Sequence, residues 1–206
     1  MALTTYAGLK SSVASWLHRD DLTSIIPDFI ALAEARIARD LRIRKQVTNT
    51  TLATVGGTQY VTLPTDFLEM ENIGLSDTSP PAQLHVVTPE VMDELYPAGY
   101  STAQPVVYTI VGDKLLLGPT PDAVYTVTLD YYARFAALSG ASDTNWLLTY
   151  HPGIYLFGSL AEAMPWVDNK ETISLYEQKY MAEVEKLNLQ DDESLRTGSA
   201  MRVRKM

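Results

Sequence analysis

The sequence predicts an α+β fold: a helical bundle formed by both chain ends, an inserted antiparallel β-domain and an extended C-terminal tail. Three observations support this prediction. Apolar residues recur at helical spacing in residues 1–45 and again in residues 144–189. Between them, residues 46–143 alternate apolar and polar side chains at strand spacing, with glycine and proline at the turns. Residues 190–206 have no usable periodicity, and we expect them to form an extended arm.

Two helices are predicted before the β-domain. The first covers residues 5–17, with Thr4 or Thr5 as its cap. One face of this helix carries Leu9, Val13, Trp16 and Leu17. The second helix begins at Pro27, because the fixed φ of proline suits the first helical position, and it extends to about Arg44.

Four arginines of the second helix lie mostly off its apolar stripe: Arg36, Arg39, Arg42 and Arg44. A run of charges at such positions is most often a solvated face. The alternative is a contact with a neighbouring subunit or a partner, since a guanidinium group pairs in a bidentate manner with a carboxylate.

The central region predicts five to seven short antiparallel strands and one short helix. Gly56-Gly57 indicates a hairpin turn between two strands, and Gly112-Asp113 indicates a second one. Residues 67–75 predict a strand after a Pro-Thr-Asp turn. Thr88 followed by Pro89 is typical of a helix start, with a capping hydroxyl and a proline at the first position.

Helical signals return after the β-domain. Pro152 predicts the start of a third long helix, and Pro165 predicts its end or a kink. The last helix is predicted from Lys170 to about Leu189, with Asp168 or Asn169 as its cap.

The net charge of −9 is unevenly distributed. Residues 46–140 carry a net charge of −8 and residues 141–195 carry −7, whereas residues 196–206 carry +4. An acidic body repels the phosphate backbone, which argues against sequence-specific DNA binding. A basic tail predicts a tether that docks on an acidic partner.

No catalytic, metal or cofactor site is predicted. The chain has no cysteine, so a thiol nucleophile, a zinc–thiolate site and a disulfide framework are excluded. The histidines His18, His85 and His151 are far apart, without metal-ligand spacing, and no Gly-x-Ser-x-Gly nucleophile motif occurs. No apolar run has the roughly 18 to 20 residues that span a bilayer, and the N-terminus does not resemble a secretory signal. We therefore expect synthesis in a reducing cytoplasm.

Three stretches of the chain resemble the head-to-tail adaptor, or connector, proteins of tailed bacteriophages, especially short-tailed ones. Residues 26–45, IPDFIALAEARIARDLRIRK, resemble the second helix of the family. Residues 63–73, LPTDFLEMENI, resemble its turn into a β-strand. The third stretch runs from the hairpin at residues 108–121, through LDYYARFAALS, to LLTYHPGIYLFGSLAEA at residues 147–163.

The resemblance implies a structural virion protein rather than an enzyme. Such proteins form a ring, usually of twelve copies, between the portal and the tail. The ring extends the DNA channel, helps to retain the genome until DNA ejection and provides the platform for tail assembly. The implied partners are the portal protein, neighbouring adaptor subunits, a tail or nozzle protein, and genomic DNA that passes without sequence-specific binding. The implied location is the head–tail junction of the virion, with no membrane contact.

The resemblance also implies three sets of contact residues. The C-terminal arm would bind the portal through Arg196, Met201, Arg202, Val203, Arg204, Lys205 and Met206. The second helix would contact a neighbouring subunit or the portal through Arg36, Arg39, Arg42 and Arg44. The turns of the β-domain that would face the tail are Gly56, Gly57, Gly112 and Asp113.

Two alternatives stay open. The first is another neck or tail-completion protein, which would also act as a connector in the virion but with different neighbours. The second is a small cytoplasmic hydrolase with a dispersed site, which requires a pocket that brings a histidine close to a carboxylate.

Overall fold

The computed structural model describes residues 3–19, 21–78, 81–97, 101–167 and 170–198 of the chain. Over this part the protein is α+β, with helices and two sheets rich in antiparallel pairs. The chain divides into two compact units. The helical unit combines residues up to Arg44 with residues from Arg134 onward, and the β-unit comprises Lys45–Ala133.

The described residues form six helices and eight strands. The helices are α1 (Tyr6–Leu17), α2 (Ile26–Asp40), α3 (Pro89–Leu95), α4 (Trp146–Tyr150), α5 (Pro152–Val167) and α6 (Lys170–Gly198). The strands are β1 (Val47–Ala53), β2 (Tyr60–Thr62), β3 (Phe67–Leu75), β4 (Ala82–Gln83), β5 (His85–Val86), β6 (Val107–Val111), β7 (Lys114–Gly118) and β8 (Thr126–Ala133).

Residues 134–143 belong to the helical unit, although the sequence analysis placed them in the β-domain. The reason is a local anchor on α2. The backbone N–H of Leu138 donates to the carboxylate of Glu34 at 2.8 Å, and the Leu138 side chain is buried in the helical core. The hydroxyl of Tyr155 also donates to Glu34, at 3.4 Å. This segment is therefore packed against the helices before α4 begins.

The start of α1 follows the predicted cap, whereas the end of α2 differs from the prediction. The Thr5 hydroxyl accepts a hydrogen bond from the Gly8 N–H at 3.1 Å. Helix α2 ends at Asp40, not near Arg44, because Leu41 is already extended. The Arg42 guanidinium donates to the carbonyls of Ala38 and Leu41 at 2.7 Å, which satisfies acceptors that the helix end leaves free.

Helix α5 does not end at Pro165, which lies inside it, two residues before its last residue. A proline so close to the end of a helix disturbs few backbone hydrogen bonds. The predicted cap of α6 at Asp168 or Asn169 lies outside the described residues.

The prediction of an extended arm from residue 190 is wrong for residues 190–198, where α6 continues to Gly198. No proline or glycine interrupts the sequence between Leu189 and Gly198. The carboxylate of Asp191 accepts hydrogen bonds from the backbone N–H of Arg44 at 2.9 Å and from its Nε at 3.2 Å. This contact attaches the distal part of α6 to the chain just after α2. Residues 199–206 lie outside the described part.

The core of the helical unit combines side chains that are distant in sequence. Its fully buried members include Leu9 of α1, Ile30 of α2, Leu160 of α5 and Tyr180 of α6. The closest approach is at Gly158 of α5. A Cβ atom at this position would lie 3.3 Å from the Cβ of Ala33 and from the Tyr180 ring. A side chain at this position would therefore require its neighbours on α2 or α6 to shift by a few tenths of an ångström.

The β-unit contains two four-stranded sheets. The first sheet has the order β1-β8-β3-β4, and the second has the order β2-β7-β6-β5. The pairs are antiparallel except β5 with β6, which is parallel. Alternate side chains of both sheets form one apolar cluster, consisting of Leu63, Ile73, Leu75, Leu84, Leu115, Leu117, Val127, Leu129 and Tyr131.

The predicted hairpin at Gly56-Gly57 is wrong, because β1 and β2 belong to different sheets. The turn exists, with Gly57 at φ +79°, but it carries the chain from one sheet to the other. The N–H of Gly57 donates to the Pro121 carbonyl at 2.7 Å. The predicted hairpin at Gly112-Asp113 is confirmed: Val111 and Lys114 pair across it, and Gly112 has φ +64°.

We expect Gly158→Leu to destabilise the helical unit by about 1–3 kcal/mol, because the new side chain collides with α2 and α6. The matched control is Gly153→Ala in the same helix, where a Cβ atom would meet Glu183 at an ordinary 3.7 Å. Urea unfolding followed by circular dichroism measures both variants. Equal unfolding midpoints for the two variants would contradict the packing assignment.

Candidate interaction surfaces

The structure gives the hydrolase alternative no support. His18 follows α1 and His151 follows α4, whereas His85 lies in the other unit. Burial lowers the pKa of His151, and the charge of Glu183 acts in the opposite direction. Within the described ranges, no hydrogen bond joins a histidine to a carboxylate, and no group of three or more His, Asp or Glu side chains has the geometry of a metal site. The surfaces of the two units are therefore the candidates for function.

Arg36 points into the helical unit rather than toward a partner. Its guanidinium forms a two-pronged pair with the carboxylate of Glu177 on α6, with one contact at 2.8 Å. It also lies 3.6 Å from Glu162 of α5 and 3.4 Å from Asp40 of α2. The Arg36 side chain is only 13% exposed. This residue therefore joins three helices.

Aromatic stacking completes the Arg36 site. The guanidinium carbon lies 4.3 Å from the ring centroid of Tyr180, and the Tyr180 hydroxyl donates to Asp40 at 2.9 Å. The hydrogen bond from Arg36 holds the pKa of Glu177 below its usual range. Burial and then the hydrogen bond to Asp40 raise the pKa of Tyr180. At neutral pH, Glu177 is therefore negatively charged and the Tyr180 hydroxyl is neutral.

The other three arginines of the predicted interface differ from one another. Arg42 closes the end of α2, and Arg44 pairs with Asp191. Arg39 is exposed, and the described part of the chain offers it no ion-pair or hydrogen-bond partner. Of the four, Arg39 is thus the residue best placed for a contact with another chain.

The residues predicted for the C-terminal arm lie almost entirely outside the described part. Arg196 lies within α6. Met201, Arg202, Val203, Arg204, Lys205 and Met206 follow the last described residue.

The two predicted tail-facing turns are not brought together. Gly56-Gly57 lies beside the chain that follows β7, since Gly57 bonds to the Pro121 carbonyl. Gly112-Asp113 immediately precedes β7, and the Asp113 carbonyl accepts from the Leu63 N–H at 2.9 Å. The turns therefore lie at opposite ends of the second sheet.

Exposed apolar side chains accompany the first of these turns. Val55 is 60% exposed and Val124 is 67% exposed. A Cβ atom at Gly56 would lie 3.6 Å from the Cα of Ala123, so the loops that carry these valines are adjacent. The predicted turn is thus one half of an apolar tip formed by two loops.

Trp16 forms an exposed aromatic surface that the sequence analysis missed, because it placed this residue on the apolar face of α1. The indole is 43% exposed. It contacts Phe157 of α5 and Tyr176 of α6 edge to face, with centroids 6.0 and 6.2 Å apart. The Lys179 ammonium lies 5.2 Å from the centroid of Phe157 and 5.8 Å from that of Trp16. Aromatic side chains are enriched at protein interfaces.

Comparison with known proteins identifies the class. The family model described as "SU10 adaptor protein" matches residues 4–204, so the chain belongs to this family of bacteriophage adaptor proteins. The family is structural and not an enzyme class, and membership implies a virion component that associates with portal and tail proteins. No curated protein matches the sequence.

The helices of the described ranges do not indicate a membrane span. None of those in the described ranges is both long and apolar enough to cross a bilayer.

We expect Arg36→Ala to destabilise the helical unit by about 2 kcal/mol, because it leaves partly buried carboxylates unpaired on three helices. The control is Arg39→Ala on the same helix, for which we expect a change within about 0.5 kcal/mol. Chemical unfolding at neutral pH measures both. A loss of stability in the Arg39 variant as large as that in the Arg36 variant would refute the assignment of Arg36 as the internal residue.

Proposed function

We propose that the protein is the head-to-tail adaptor of a short-tailed bacteriophage. In this proposal twelve copies form a ring between the portal and the tail at the head–tail junction. The ring extends the DNA channel and docks tail components. The single observation that carries the proposal is the family match over residues 4–204.

The distribution of charge supports a channel role. The β-unit carries a net charge of −8, with ten acidic residues against Lys45 and Lys114. Its exposed acids include Glu69 and Glu71 of β3. A surface of this sign repels phosphate, so DNA that passes it during ejection is not retained by counterion release. Sequence-specific DNA contact plays no part in the proposal.

The helical unit offers surfaces for neighbouring subunits and the portal. Arg39 and the aromatic surface around Trp16 replace Arg36 as the residues we propose for these contacts. The basic segment after Gly198, with Arg202, Arg204 and Lys205, is proposed as the tether to an acidic face of the portal. The loops of the β-unit are proposed to face the tail.

Mixing the purified protein with its portal tests the proposal. We expect the isolated protein to be monomeric or weakly associated, and negative-stain images of the mixture to show an added ring on the portal. A portal that carries no added ring at micromolar protein concentration would refute the proposal. Binding to the tail protein without binding to the portal would instead favour a neck or tail-completion protein.

Deleting residues 199–206 tests the tether. We expect the described fold to persist, because the deletion leaves α6 and the Arg44–Asp191 contact in place. Portal binding should weaken, and replacing Arg202, Arg204 and Lys205 with glutamine should reproduce most of the loss at low salt. The matched control replaces Met201, Val203 and Met206 with serine. Equal portal affinity for the full-length and truncated proteins, in sedimentation or surface-binding assays, would refute the tether.

A further inference from the structure

Within the described residues, the outer edge of β1 is a backbone hydrogen-bonding surface that no other strand covers. Strand β1 is the terminal strand of the first sheet and pairs only with β8 in that sheet. The register is continuous from Val47 opposite Tyr132 to Ala53 opposite Thr126. The outer edge of a regular seven-residue strand is therefore available in the described part of the chain.

The ladder defines which backbone groups point outward. The N–H of Thr54 donates to the Tyr125 carbonyl at 3.0 Å, in the same register as β1 with β8. Since bonded pairs alternate along an antiparallel ladder, Leu52, Thr50 and Thr48 also bond to β8. The N–H and C=O groups of Val47, Asn49, Thr51 and Ala53 therefore point away from the sheet, about 6.8 Å apart.

Strand β1 lacks three features that commonly protect exposed strands, namely proline, charged side chains and a bulge. Residues 47–53 contain no proline, no glycine and no charged side chain. Proteins commonly block a free edge with lysine, proline or a bulge. The β1–β8 register has no shift, whereas β3 has two against β8. The unprotected edge therefore suits pairing with another strand.

The solvent face beside the edge is polar and carries one carboxylate. Asp130 of β8 accepts hydrogen bonds from the amides of Asn49 on β1, at 2.6 Å, and Asn72 on β3, at 3.3 Å. Thr51 lies opposite Thr128 on the same face. Asn49 and Thr51 are exposed. A strand added at this edge would thus have a threonine- and asparagine-lined face beside it.

We propose that β1 takes up an extended strand from a different protein chain, and that this strand is uncharged where it pairs and carries lysine or arginine at its flanks. Backbone pairing at an open edge is a common mode of peptide recognition. The β-unit has a net charge of −8, so basic flanks are attracted to it. A second copy of β1 fits less well, because pairing two copies brings together two units that each carry −8. The proposal does not depend on the ring or the portal, and its failure would leave the adaptor role intact.

The probe is the synthetic peptide Lys-Thr-Val-Thr-Val-Thr-Val-Thr-Lys with blocked ends. We expect it to bind the full-length protein and to slow the hydrogen exchange of the Asn49 and Thr51 amides, measured by NMR. The control peptide carries N-methyl groups on its central valine and the next threonine, so neither of its edges can pair. A third peptide with glutamate at both ends tests the charge requirement and should bind more weakly.

Thr51→Pro tests the edge from the protein side, because it removes an outward N–H that the sheet does not use. We expect peptide affinity to fall roughly tenfold, whereas Thr51→Val, which keeps the N–H, retains it. Circular dichroism and thermal unfolding verify that both variants are folded. If Thr51→Pro does not fold, the comparison of the plain and N-methylated peptides on the unaltered protein tests the proposal by itself.

Three outcomes would overturn the proposal. The first is equal binding of the plain and N-methylated peptides. The second is unchanged exchange of the Asn49 and Thr51 amides at saturating peptide. The third is the absence of any peptide binding while self-association of the protein slows the exchange of the same two amides, which would assign the edge to a second copy.

Discussion

The pairing of Arg36 is the interaction on which the helical unit depends. Its guanidinium lies among α2, α5 and α6, bonded to Glu177 and stacked on Tyr180. Two further contacts join the same segments, Asp40 with Tyr180 and Arg44 with Asp191. Because the residue numbers rise together on both sides, α2 and α6 run in the same direction. A guanidinium this poorly exposed is costly without its carboxylates. The contacts therefore fix the register between segments that are far apart in sequence.

This constraint decides which parts of the helical unit are free for assembly. The charge pattern alone would suggest four equivalent arginines. In the structure, Arg36, Arg42 and Arg44 are paired within the chain, whereas Arg39 has no ion-pair or hydrogen-bond partner among the described residues. The aromatic surface at Trp16 supplies the apolar counterpart. An adaptor needs rigid subunits with several separate contact surfaces. The internal contacts of Arg36, Arg42 and Arg44 supply the rigidity and leave a smaller surface for contacts with other chains.

Features set by local chemistry could be predicted from the sequence, and features set by distant contacts could not. The caps at Thr5 and Thr88, the bounds of β3 and the turn at Gly112 follow from neighbouring residues. The partner of β1 is β8, whose choice depends on the whole sheet rather than on the glycines after β1. The carboxylate that pairs with Arg36 is 141 residues away, and nothing in the charge pattern of α2 identifies it. Helix α6 continues past its apolar stripe because polar residues without proline or glycine among them also sustain a helix.

The order of contacts along the chain has a consequence for biosynthesis. The β-unit is one continuous stretch, Lys45–Ala133, and has all its strands as soon as β8 leaves the ribosome. The helical unit must wait, because Leu9 and Ile30 are buried together with Tyr180 and Leu187. Until α5 and α6 are translated, the apolar faces of α1 and α2 lack most of the core that they join. During that interval the exposed apolar faces make the nascent protein prone to aggregation.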